Sequence, residues 1–179
     1  MRILRLGFGA LLGMTMPFLG AGAFAAGSGG DSGETAENCS GGQVWDQKSG
    51  KCVNPKNSGL DTDSIYEGGR DYALAGRYGE AITVLSTIAS TNDPRVLNYL
   101  GYSHRMSGRV DVGLGYYEEA LRLNPDFTLA REYMGEAFLQ KGDLPAAQAQ
   151  LGEIVLRTGV EGPEYIELKK QIDAYLRGT

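Results

Sequence analysis

Pro94-Arg-Val-Leu97-Asn-Tyr-Leu100-Gly101-Tyr-Ser-His104-Arg-Met-Ser-Gly108, continued by Gly113-Leu-Gly-Tyr-Tyr117-Glu-Glu-Ala120, is the stretch that decides the fold. Leu97, Leu100, Gly101 and His104 follow one another at spacings of three, one and three, which is one face of an α-helix. Asp93 stands before it as an N-cap, and Pro94 takes the first helical position, where its missing N–H costs nothing. Gly108 stops the helix. A second helix then returns with Gly113, Tyr117, Ala120 and Leu121 inward and ends at Asn124-Pro125. Gly101 and Gly113 are small where the two axes come closest, so the pair reads as an antiparallel helical hairpin.

The same pattern stands on either side of this stretch. Gly69, Gly101 and Gly135 fall in one column, as do Tyr72, His104 and Phe138, Gly76, Gly108 and Gly142, Ala81, Gly113 and Ala147, and Leu85, Tyr117 and Leu151. Every column recurs after 32 and then 34 residues, a period that belongs to stacked helical hairpins. The expected architecture is all-α, a right-handed superhelical α-solenoid of three hairpins at 62–93, 94–127 and 128–159. A last helix within 160–179, with Tyr165, Leu168, Ile172 and Tyr175 on one face, caps the stack.

Leu97-x-x-Leu100-Gly101-x-x-His104, followed by Gly113-x-x-x-Tyr117-x-x-Ala120 and Pro125, resembles the tetratricopeptide repeat. The third repeat matches at Gly135, Phe138, Ala147 and Leu151, and the first at Gly69, Tyr72, Ala81 and Leu85, but there Gly68 stands where an aliphatic residue is usual. The resemblance implies a scaffold whose first helices line a concave groove. It does not imply a particular ligand. The groove residues it points to are Tyr66 and Arg70 in the first repeat, Asn98, Tyr102 and Arg105 in the second, and Glu132, Glu136 and Leu139 in the third. Their charges suggest an extended protein or peptide partner with an acidic portion toward Arg70 and Arg105 and a basic portion toward Glu132 and Glu136. The competing reading is an ordinary solvated helix face. Some family members hold a partner's C-terminal carboxylate with a Lys, Asn and Arg clamp, but no Lys stands on this lining, so the clamp is not carried over.

Working outward to the N-terminus, Arg2 and Arg5 precede an uncharged apolar run from Leu6 to Leu19 and then Ala23-Phe24-Ala25. This is the layout of a secretory signal peptide, 1–25, cleaved after Ala25. The alternative is a retained membrane anchor, which Gly13 and Pro17 and the short run argue against. Export to the periplasm or outside is therefore expected, with no stable membrane anchor after cleavage. The stretch 26–38 lacks large apolar side chains and holds four glycines, which makes a flexible linker.

Cys39 and Cys52, with twelve residues between them, flank the single tryptophan, Trp45. In an exported chain they are expected to pair and close a small β-hairpin, 39–53, restricting the unfolded chain by about 3 kcal/mol. Two other uses weigh less: a metal would need more ligands nearby, and redox pairs usually have two intervening residues. Trp45 packs over the disulfide in one reading and offers a platform to a sugar ring in another. Residues 54–61 read as a second linker.

The 179-residue chain carries 17 basic and 22 acidic residues, and removing Arg2 and Arg5 takes its net charge from −5 to −7. An acidic chain without a basic patch is a poor partner for nucleic acid or anionic membrane surfaces. His104, the only histidine, falls in a packing column without a nucleophile beside it, so no enzyme, cofactor or metal centre is expected. Asp111 and Glu118-Glu119 read as solvated charges, and Gly113-x-Gly115 as helix packing. Three functions follow: an adaptor for another envelope protein, a carbohydrate or cell-wall binding module using Trp45 with the repeats as spacer, and an accessory subunit of an envelope enzyme. A monomer is favoured, although an uncapped first hairpin could pair with a second copy.

Overall fold

The structure is a computed structural model that describes residues 39–178. The expected signal segment 1–25 and the linker 26–38 lie outside the described residues. From the N-terminus come strands β1 (Val44–Asp46) and β2 (Lys51–Val53), then helices α1 (Thr62–Leu74), α2 (Tyr78–Leu85), α3 (Pro94–Met106), α4 (Val110–Leu123), α5 (Thr128–Gln140), α6 (Leu144–Thr158) and α7 (Pro163–Gly178). α1 with α2, α3 with α4 and α5 with α6 form three antiparallel hairpins, and α2 against α3 and α4 against α5 join each to the next. α7 lies on α5 and α6. This is the expected α-solenoid with a small antiparallel hairpin at its N-terminal end.

The three hairpin turns are built alike. Gly76, Gly108 and Gly142 take φ of 76°, 82° and 77°, which favours glycine. That geometry lets Arg77, Arg109 and Asp143 donate their N–H to the carbonyls of Tyr72, His104 and Phe138, each at 2.9 Å. Every first helix therefore ends in the same Schellman cap, and the repeat period is a period of turn geometry. At the second helix pair, a Cβ on Gly101 would lie 2.6 Å from Tyr117 Cε1 and 3.0 Å from the Gly113 carbonyl oxygen, so the axes close only around glycine. Gly115 differs from expectation: a Cβ there meets nothing, and its glycine serves no packing.

The third repeat departs from the column pattern. A Cβ on Gly135 would meet Leu168 of α7 at 2.6 Å, and no Leu151 atom is among its nearest neighbours. Leu168 is fully buried and Ile172 is 3% exposed, in a cluster with Leu139, Ala147 and Ile154. α7 thus covers the apolar end of the stack, as its stripe of Tyr165, Leu168, Ile172 and Tyr175 requires.

The disulfide hairpin packs into the core of the first repeat. Cys39 and Cys52 are bonded, with Cα atoms 5.5 Å apart. Val44, 3% exposed, joins Ile65, Tyr72, Val84, Leu85 and Leu100 in one core. It fills the space beside Gly68, where an added Cβ would lie 2.7 Å from Val44 Cγ1. This explains why Gly68 replaces the family's aliphatic residue: the missing side chain is supplied by the hairpin. Polar contacts fix the dock. Tyr72 Oη donates to the Gln43 carbonyl at 2.7 Å, Arg77 Nη1 donates to the Cys39 carbonyl at 2.9 Å, and Gly41 N–H donates to Glu80 Oε1 at 2.8 Å. Residues 54–61 are also packed: Pro55 is buried in a 3₁₀ turn, Leu60 adds to the core, and Asp61 caps α1 by accepting from Ser64 N–H at 2.8 Å.

Gly68→Leu should therefore lift the hairpin off α1. The expected loss is about 1–3 kcal/mol, the usual cost of overpacking. Trp45 emission should shift to the red, and because Trp45 is the single tryptophan the signal is unambiguous. An unchanged emission maximum with unchanged thermal unfolding would refute the dock.

Candidate functional site

Stacking brings equivalent positions of α1, α3 and α5 into rows across one face. One row holds Tyr66, Asn98 and Glu132, and the next Arg70, Tyr102 and Glu136, each offset by 32 and then 34 residues. Five tyrosines form a chain of ring contacts that runs from this face into the core at Tyr117 of α4: Tyr66 to Tyr99 at 6.0 Å, Tyr99 to Tyr102 at 6.2 Å, Tyr102 to Tyr133 at 5.0 Å and Tyr133 to Tyr117 at 6.3 Å between centroids. Tyr78 joins them at Tyr102, 6.1 Å away. Most of these contacts are edge-on or tilted, the arrangement that the ring quadrupole favours. Burial pushes the hydroxyls of Tyr66, Tyr99, Tyr102, Tyr117 and Tyr133 above the ordinary phenol range, so all stay neutral.

Arginines sit over the rings. Arg95 lies 4.7 Å above Tyr66 while it bonds Asp93 and Asp63, at 2.6 and 2.7 Å. Arg70 is half-buried, 5.9 Å from the same ring, and bonds Asp71. Arg105 is different. It is 4% exposed, ion-pairs with Glu136 at 2.6 Å and donates from Nε to Tyr117 Oη at 3.3 Å. The sequence reading offered Arg105 and Glu136 to opposite ends of a ligand, but the structure bonds them to each other, so Arg105 has no free charge for an acidic partner.

The depth of the other groove residues also varies. Asn98 is fully buried, and neither its amide nitrogen nor its oxygen has a hydrogen-bond partner. Glu132 is 7% exposed and Leu139 is 9% exposed, whereas Tyr66, Arg70, Tyr102 and Glu136 remain partly open. Burial, followed by the fields of Glu136, Glu164 and Glu167, pushes the Glu132 carboxyl up to about 8. Burial also raises Glu136, against the pull of Arg105.

A concavity of about 460 Å³ opens at the third-repeat end, lined by Arg105, Met106, Glu136, Leu139, Gln140, Gln171, Ala174 and Tyr175. Gln171 and Tyr175 belong to α7, which the sequence presents only as a cap. Tyr99 and Tyr133 were also missed, although they share a column 34 residues apart, and a repeated aromatic off the packing columns is the signal that finds them. A second cleft, about 440 Å³, lies between the disulfide hairpin and α1 and includes Trp45, Gln43, Gln47, Glu67, Tyr72 and Leu74. Trp45 is half-buried and stands opposite Cys52 in the hairpin register. His104 stacks on Tyr116 at 5.3 Å and accepts from Arg109 Nε at 2.9 Å, the contacts of a packing residue. Among the described residues no group of three or more His, Cys, Asp or Glu is placed to hold a metal ion, and no helix is long and apolar enough to cross a membrane.

Stacked hairpins with a continuous concave face of tyrosine, arginine and glutamate define a helical repeat scaffold. The tetratricopeptide repeat family matches residues 66–126 and 100–159, more than half of the chain. The chain belongs to that family. It is 30% identical over 84 residues to the chloroplastic tetratricopeptide repeat domain-containing protein PYG7 of Arabidopsis thaliana, a match covering 45% of this chain and 28% of that protein. Among solved structures it resembles the first repeat domain of Spaghetti (RPAP3) bound to an HSP90 peptide, with TM-score 0.56, 20% identity, and 66% of this chain covering 97% of that one. It also resembles the type III secretion chaperone SycD of Yersinia enterocolitica in complex with a peptide of the translocator YopD, with TM-score 0.55, 21% identity, and 68% of this chain covering 95% of that one. At these identities the two structures establish the fold alone.

Proposed function

We propose that this chain is an adaptor that holds an extended segment of another protein along the concave face of α1, α3 and α5, working in a bacterial envelope. The observation that carries the reading is the row of partly open Tyr66, Arg70 and Tyr102 beside the α3–α5–α7 concavity. Tyrosine and arginine are the residues enriched at protein interfaces, and their rings here are held in place by their neighbours, so little entropy is lost on binding. That two solved structures of this fold carry peptides supports a peptide-sized occupant. The envelope location rests on Arg2, Arg5, the apolar run Leu6 to Leu19 and the Ala23-Phe24-Ala25 site, together with a disulfide that persists in oxidising compartments.

A second reading draws on the hairpin cleft. Trp45, two glutamine amides and Glu67 around 440 Å³ are groups that stack on and hydrogen-bond a sugar ring. One experiment separates the two. Photo-crosslinking residues are placed at Tyr66, Tyr102 and Trp45, with Leu156, 79% exposed, as a control. Irradiated in cells, the Tyr66 and Tyr102 positions should give one discrete protein adduct in the envelope fraction, and Leu156 none. The adduct should fall at least tenfold when the other tyrosine is replaced by alanine. Adducts only to glycan at Trp45 would transfer the function to the hairpin, and a recovered chain that still carries residues 1–25 would refute cleavage.

A further inference from the structure

The geometry points to a socket for one lysine or arginine side chain of the bound peptide, with the Glu132 carboxylate as its floor and Glu136, Glu164 and Glu167 as its rim. The inference rests on the peptide-binding reading and says what chemistry the third-repeat end selects.

Glu132 is more than nine-tenths buried, and it makes no hydrogen bond or ion pair among the described residues. Its oxygens are not among the sealed polar atoms, in contrast to the Asn98 amide one repeat earlier. So Glu132 is a nearly buried carboxylate one turn along α5 from Glu136, which lines the α3–α5–α7 concavity. The charges facing it come from three helices. Glu136 is one turn along α5, Glu164 and Glu167 come from α7, and Arg105 comes from α3. Arg105 is engaged by Glu136 and by Tyr117, and Lys170 sits on the exposed side of Glu167 at 3.0 Å. Four carboxylates thus face one guanidinium that already has its partner.

A buried carboxylate without a bonded cation is costly, and the cation that acts on Glu132, Arg105, is already bonded to Glu136. An incoming ammonium or guanidinium would meet the unmet acceptor directly. Its aliphatic stem would lie along the paired rings of Tyr102 and Tyr133, which also attract a cation through their faces. Without ligand, a proton is the available neutraliser. Burial and the neighbouring carboxylates hold the Glu132 carboxyl up near 8, so ligand binding near neutral pH expels that proton. Affinity for a basic peptide should therefore rise from pH 6 to pH 8 and level off above. Burial raises Glu136 as well, against its bond to Arg105, while Lys170 and Gln171 hold Glu167 below the usual carboxylate range.

The test selects decapeptides from a random phage-displayed library on the full chain, keeping those that lose binding to the Tyr66→Ala/Tyr102→Ala variant. Lysine or arginine should dominate one position. Calorimetry with the best peptide, against its copy carrying norleucine for that lysine or citrulline for that arginine, should show at least a tenfold weaker Kd for the copy. The difference should shrink below twofold on Glu132→Gln, and the rise of affinity with pH should vanish. Glu132→Gln is isosteric and removes a buried charge, and thermal unfolding confirms that it folds. Glu164→Gln on the rim provides a second, milder variant with about a threefold effect. Groove-dependent peptides without a basic position, or a basic preference that survives Glu132→Gln, would overturn the socket and leave the peptide-binding reading standing. A library that yields no groove-dependent peptide would overturn both.

Discussion

Arg105→Met is expected to destabilise the fold by about 3–5 kcal/mol, the range for stranding one member of a buried ion pair. The guanidinium is 4% exposed and bonds Glu136 at 2.6 Å and Tyr117 at 3.3 Å. Methionine matches its stem but leaves the Glu136 carboxylate beside Glu132 and Glu167 without its bonded guanidinium. Urea unfolding at pH 7, followed by far-ultraviolet circular dichroism, measures the loss. Glu136→Gln in the same background should restore part of it, because the stranded charge is then gone, and a double-mutant cycle isolates the pair. A loss below about 1 kcal/mol for Arg105→Met would mean that the pair does not hold the second and third repeats together.

Glu132→Gln has the opposite sign and depends on pH. The ordinary value of a glutamate is 4.5, and in the folded chain Glu132 sits near 8, raised first by burial and then by Glu136, Glu164 and Glu167. Between those values the folded chain keeps a proton that the unfolded chain has released. Stability of the native chain therefore falls as pH climbs through that window, by about 1.4 kcal/mol per pH unit, and is level above it. The glutamine variant lacks this slope. At pH 5 the two melting temperatures should nearly coincide, and at pH 8 the variant should melt several degrees higher. Glu136 contributes to both curves, so their difference reports Glu132 together with its coupling to Glu136. Parallel melting curves across the range would show that Glu132 is solvated.

Much of the fold can be read from particular residues. Gly76, Gly108 and Gly142 mark the Schellman turns, Gly101 and Gly113 mark a close crossing, and two cysteines in the whole chain leave one pairing. Helical periodicity assigns a face, however, not a depth. Asn98, Arg105 and Glu132 were placed on the lining with Tyr66 and Tyr102, yet the first three are buried and the last two are half-open. Residues distant in sequence shape these surroundings: Glu164 and Glu167 of α7 add to the field of Glu136 at Glu132. Gly68 is the instructive exception. Its misfit to the repeat pattern was visible, but the reason lay in Val44, 24 positions earlier, and only the packed hairpin connects the two.

The covers at the two ends of the stack set a length. With the disulfide hairpin packed on α1 and α7 packed on α5 and α6, the described residues offer four helices side by side along the groove: α1, α3, α5 and α7. At the usual spacing of 8–10 Å between packed helices, the span from first to last is about 30 Å. An extended chain advances about 3.3 Å per residue, so this span measures off about nine residues of a partner. On the proposed peptide-binding reading, an open-ended array of repeats would accept a segment of any length, whereas this one would act as a ruler.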